Sequence, residues 1–212
     1  MSKELPLVYV VGDSISIQYG PYLEKALRGF FRFKRKGGEG EALLNLDQPA
    51  GANAGDSRMT LAYLSTLVCR ADFECDVLML NCGLHDIKRS PKNRDIQIPL
   101  DEYRSNLEQI VHLCVLNDIR FIWLRTTPVV DAIHNHPKMN FHRHAEDLNA
   151  YNDCADSVME RADAAAIDLF RFTRNLGADD ELFIDHVHYL EAIREKQGLF
   201  LAGSLCGWLN RI

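Results

Sequence analysis

A chain of 212 residues is long enough for one domain with a sizeable core, and 47% hydrophobic with 25% charged residues is the balance of a soluble globular protein. The net charge of −6 argues against nucleic acid as the main partner, and no stretch approaches the roughly 18 apolar residues of a membrane span. The cysteines (69, 75, 82, 114, 154, 206) form no CxxC pair and no disulfide-like framework, and the N-terminal apolar run is too short for a signal sequence, so a cytoplasmic protein is expected.

In chain order, "LVYVV" (7–11) reads as a strand, and Tyr19, Tyr22, Leu23, Ala26, Leu27 and Phe30 then recur at helical spacing. The basic, phenylalanine-rich "RGFFRFKRK" (28–36) reads as a solvated helix end with some apolar packing. "ALLNL" (42–46) is the second strand, Leu61, Leu64 and Val68 mark a helix, and "DVLML" (76–80) is the third strand. Tyr103, Leu107, Ile110, Val111 and Cys114 give an amphipathic helix with Asp101 as N-cap. "RFIWLRTT" (120–127) is the fourth strand, and a helix over 145–163 leads to the fifth, "AAIDLF" (165–170). The last helix runs from Tyr189 to Leu209. Such alternation implies parallel pairing through right-handed crossovers, hence one α/β domain over residues 1–212, a three-layer α/β/α sandwich. The connection 128–144, rich in histidine, is long enough to be a lid or binding loop.

Ligands of open α/β sheets bind outside the carboxyl ends of the strands, so the residues that matter are those just past each strand. "GDSIS" puts Ser14 at the start of a helix, a position that exposes a hydroxyl beside free backbone N–H groups; Ser14 or Asp13 could equally serve only as a cap. In "GANAGDSR", Gly55 lets the backbone approach a ligand closely. "LNCGLHDIK" delivers His85 and Asp86 past the third strand. "DHVHY" sets Asp185 three residues before His188, a spacing at which an aspartate can hold an imidazole tautomer, with His186 a competing base.

Taken together, these blocks resemble the SGNH hydrolases, the GDSL esterase/lipase family, and "TTPV" and "AIDLF" extend the likeness over nearly the whole chain. The resemblance implies a flavodoxin-like five-stranded parallel sheet of order 2-1-3-4-5. It implies Ser14 as nucleophile, His188 as base and Asp185 as orienting acid. The oxyanion hole would be formed by Ser14, Gly55 and His85. This sequence has His85 where the family has asparagine; a neutral imidazole offers one N–H for the role and would add a pH dependence that an amide lacks.

The expected activity is therefore hydrolysis of a carboxylic ester carrying a short acyl group, on a small molecule or a carbohydrate, without cofactor or metal. No nucleic-acid or membrane partner is expected. Asp13, Asp86, His134 and His136 are expected to contact substrate. His134, His136, His142 and His144 form two HxH pairs that could instead hold a metal. The rival readings are a catalytically weakened ligand- or glycan-binding module, a metal hydrolase, and a thioesterase or lysophospholipase.

Overall fold

The computed structural model describes residues 4–137 and 139–209. The sheet comprises β1 (Leu7–Val11), β2 (Arg32–Arg35), β3 (Val77–Leu80), β4 (Arg120–Leu124) and β5 (Ala165–Ile167). All pairs are parallel and the order is β2-β1-β3-β4-β5, the flavodoxin-like arrangement. β1 and β3 are buried at every residue, which is why they read as unbroken apolar runs: sheets covered on both faces lose the alternation of polar and apolar positions.

The second strand differs from its expectation. It is the basic segment Arg32–Arg35, while "ALLNL" lies in and after the short helix α2 (Glu39–Ala42), with Leu43 and Leu44 exposed. The physical reason is position. β2 is an edge strand, and edges tolerate or even favour cationic residues that discourage further pairing, so this one carries no apolar signal.

The remaining helices are α1 (Ser14–Leu27), α3 (Ser57–Leu67), α4 (Leu100–Leu116), α5 (Asp131–His134), α6 (Ala145–Arg161), α7 (Leu169–Arg174), α8 (Asp179–Leu182) and α9 (Glu191–Leu209). α4 begins one residue ahead of Asp101. Pro99 occupies the cap position, and Asp101 lies in the first turn, where its charge still suits the helix dipole. β4 and β5 both stop short of their expected ends. Asp168 accepts the Arg171 N–H and turns the chain directly into α7.

α1 packs on α9 on one face of the sheet, while α3, α4 and α6 pack in series on the other. The α1–α9 contact is close because residue 198 is glycine: a Cβ there would lie 2.8 Å from the Leu23 nitrogen and 3.0 Å from the Tyr19 oxygen, both main-chain atoms of α1. Helix backbones cannot retreat without moving α1, which carries Ser14. Overpacking of this kind typically costs about 1–3 kcal/mol, so Gly198→Ala should lower the melting temperature by roughly 3–10 °C. An unchanged melting temperature would show that the helices slide apart freely.

Candidate active site

The site assembles where β1 and β3 end. Gly12 and Asp13 follow β1, and Asp13 caps α1 by accepting the Ile15 N–H at 2.9 Å. Ser14 is thereby the first residue of the helix, 4% exposed, and its own N–H has no intrahelical partner. Its Oγ lies 2.9 Å from His188 Nε2. His188 comes from the segment ahead of α9, which is closed on itself by the Ile184 N–H to the His188 carbonyl and by pairing of Phe183 with Tyr189. The Tyr189 hydroxyl anchors it to the Pro128 carbonyl beyond β4.

Asp185 lies 2.8 and 3.0 Å from His188 Nδ1 through its two oxygens, and Oδ1 also accepts the backbone N–H groups of Val187 and His188. Partial burial opposes its ionisation. Those hydrogen bonds, that of the His188 ring foremost, outweigh it and hold the carboxyl well below its ordinary range. A carboxylate at Nδ1 favours the tautomer with the proton there, which leaves Nε2 as an acceptor facing the Ser14 hydroxyl. A serine, a histidine and an aspartate in this relation can carry out nucleophilic acyl transfer.

Gly55 stands on the loop that follows α2 and precedes α3, tied to the end of β1 by the Ala54 N–H to the Gly12 carbonyl. Its φ of 73° is left-handed, and a Cβ would meet Met59 Sδ at 2.7 Å and Pro49 Cβ at 2.8 Å, so glycine is required here. Its N–H, however, donates to Asn53 Oδ1 at 3.0 Å. An oxyanion would have to share or displace that bond.

His85 is 2% exposed, and its backbone is held from behind by the buried Arg143, whose Nε donates to the Leu84 carbonyl at 2.6 Å. Burial, reinforced by the nearby Lys88 and Arg143 charges, lowers the His85 pKa far below its usual value, so the ring is neutral. The pH dependence expected of an imidazole at this place is thus displaced out of the working range. Its Nδ1 is buried without a hydrogen-bond partner among the described residues.

The expected substrate contacts fare differently. Asp13, Asp86 and His134 are buried, and His136 is exposed on its loop. Asp86 accepts the Ser57 N–H with both oxygens at the start of α3, and burial pushes its carboxyl up to about 7. Asp13 and Asp86 therefore shape the two helix starts, each accepting a backbone N–H there, while the second Asp13 oxygen has no partner among the described residues. His134 packs on His186, their Nδ1 atoms 2.8 Å apart, and His186 Nε2 reaches Asp47 at 3.1 Å. Both ring nitrogens of His186 are thus engaged, by His134 and Asp47. Burial, with Arg143 next, lowers His134 to about 3.

The HxH pairs do not converge. His144 is bound to Asp131, and among the described residues the one group of three metal-ligand types within 4.8 Å is Asp185, His186 and His188, which includes the candidate base. Cys82 is buried, and burial raises its thiol well above the ordinary value, which leaves a poor nucleophile. The sequence reading missed Asp47, Lys88, Phe141 and Arg143. Arg143 carries a faint signal, a lone arginine in "FHRH" inside the long connection, masked by the adjacent histidines.

The family model described as GDSL-like Lipase/Acylhydrolase matches residues 8–198. Among solved structures, the lipase/acylhydrolase from Enterococcus faecalis is similar with a TM-score of 0.72 at 16% identity, covering 96% of each chain. An acetyl xylan esterase, AlAXEase, gives 0.68 at 14% identity over 94% of this chain and 99% of its own. The esterase EstA from Pseudoalteromonas sp. gives 0.65 at 15% identity over 96% and 98%. No curated protein matches the chain.

Proposed function

The chain belongs to the GDSL-like lipase/acylhydrolase family and hydrolyses ester bonds, and we propose that it does so through an acyl-enzyme on Ser14. The observation that carries this reading is the continuous run from Ser14 Oγ through His188 to Asp185, at 2.9 and 2.8 Å. In the proposed cycle His188 takes the Ser14 proton as Oγ attacks the ester carbonyl. The oxyanion is met by the Ser14 N–H and the His85 ring, with the Gly55 N–H recruited from Asn53. The His188 proton leaves with the alcohol, and water attacking through the same base releases the acid.

We propose a short acyl or acetyl ester on a small molecule or carbohydrate as substrate, supported by polar surroundings at the strand ends. Six unpaired cysteines support a reducing, cytoplasmic setting. No helix among the described residues is long and apolar enough to cross a membrane. The test is a panel of acyl-p-nitrophenyl esters of rising chain length with acetylated sugars. Turnover should be highest on the short acyl groups and absent in Ser14→Ala; a preference for long acyl chains would overturn the substrate class.

A further inference from the structure

Beside His85 opens a cleft of about 540 Å³, lined by Gln48, Pro49, His85, Lys88, Gln97 and Phe141 among others. We propose that this cleft receives an anionic arm of the ester, a carboxylate or phosphate carried by its acyl or alcohol part, with Lys88 as the group that binds it. The inference rests on the esterase reading above and names the substrate class of the same site.

Lys88 is half-buried, and its Nζ donates to one acceptor among the described residues, the Asp47 backbone carbonyl at 2.9 Å, of the three N–H donors an ammonium carries. The same ammonium lies 4.3 Å over the Phe141 ring. Arg143 stands on that ring too, at 4.8 Å, fully buried, with Nη1 lacking any partner among the described residues. Neither cation has a carboxylate within 4.0 Å among the described residues, whereas the arginine that lines the cleft, Arg89, is held by both oxygens of Asp147. Asp95, the acid of the cleft, is engaged by the Asn93 amide.

The charges of Asp47 and Asp13 act on both cations, yet neither cation is in ion-pair contact with a carboxylate among the described residues, and two cations taken from water onto one aromatic ring are unfavourable without such a partner. The strain shows in Lys88, where burial, with Arg143 next, lowers the ammonium to about 8. A bound anion relieves it. His85 lines the same cleft and is its link to the proposed hole, and the proposal places the ester carbonyl at that residue when the anionic arm is on Lys88.

The test compares p-nitrophenyl hemiglutarate with p-nitrophenyl valerate, an anionic and a neutral acyl arm, and 3-acetoxypropanoate with propyl acetate for the alcohol arm. The readout is the ratio of kcat/KM, anionic to neutral, within one protein. In the wild type the ratio for one arm should exceed unity by about 10-fold, the worth of a charge-assisted hydrogen bond, and Lys88→Gln should bring it back toward one. The arm that responds identifies the source of the charge. Binding of N-methylglutaramate and 3-acetamidopropanoate, each with an amide in place of the ester, and of their neutral counterparts is measured in parallel. If nothing is hydrolysed yet one anion binds in preference to its neutral counterpart, through Lys88, the cleft assignment stands and the esterase reading falls. If both ratios and both binding preferences are at unity, or survive Lys88→Gln, the cleft assignment is wrong.

Discussion

Ser14→Ala should lower kcat by at least about 10³-fold, because the Ser14 hydroxyl is the one that meets the proposed base, His188, at 2.9 Å among the described residues. His188→Ala should fall nearly as far, and the double variant little further, since the two residues act as one unit and their losses do not add. His186→Ala is the control on assignment. Its two ring nitrogens are engaged by His134 and Asp47, so the variant should move KM more than kcat. Steady-state kinetics on one activated ester decide the ranking. A His186 variant slower than the His188 variant would transfer the base to the neighbouring residue.

His85→Ala should cost roughly 10²–10³ in kcat with KM little changed, as expected of a donor that acts when the carbonyl oxygen carries charge. The weight on His85 is greater here because the Gly55 N–H is directed to Asn53. His85→Asn should recover part of the loss, since an amide N–H can stand in nearly the same place. The pH–rate profile of that variant should keep the wild-type shape. Burial disfavours the charged imidazole, so the folded-state pKa is lowered and the ring loses no proton between neutral and alkaline pH. A titration that disappears in His85→Asn would mean the ring is solvated during turnover. An alanine variant as active as wild type would leave the hole to the backbone alone.

How far the sequence carried the reading depended on the kind of signal each element gives. β1, β3 and β4 were legible as apolar runs because both faces of the sheet are covered. β2 was not, because the strand that closes an edge is chosen for charge, and "RFKR" looks like a solvated helix end. Ser14, Asp185 and His188 were legible through the resemblance of their motifs to the family's blocks, whereas the spacing alone left Ser14 open as a cap and His186 as a competing base. Asp47, Lys88 and Arg143 were not: residues far apart in the chain converge behind His85 through tertiary packing alone. The engagement of Gly55 by Asn53 is an Asx turn over Asn53, Ala54 and Gly55, a local pattern that the glycine-rich context of the segment obscured.

The central claim, a covalent intermediate on Ser14, is tested most directly by intact-mass analysis after exposure to an alkyl fluorophosphonate, followed by peptide mapping. One adduct on Ser14 is predicted, formed rapidly in the wild type and slowly or not at all in His188→Ala, where the hydroxyl has lost its base. An adduct on Cys82, or full labelling of Ser14 without His188, would contradict the account.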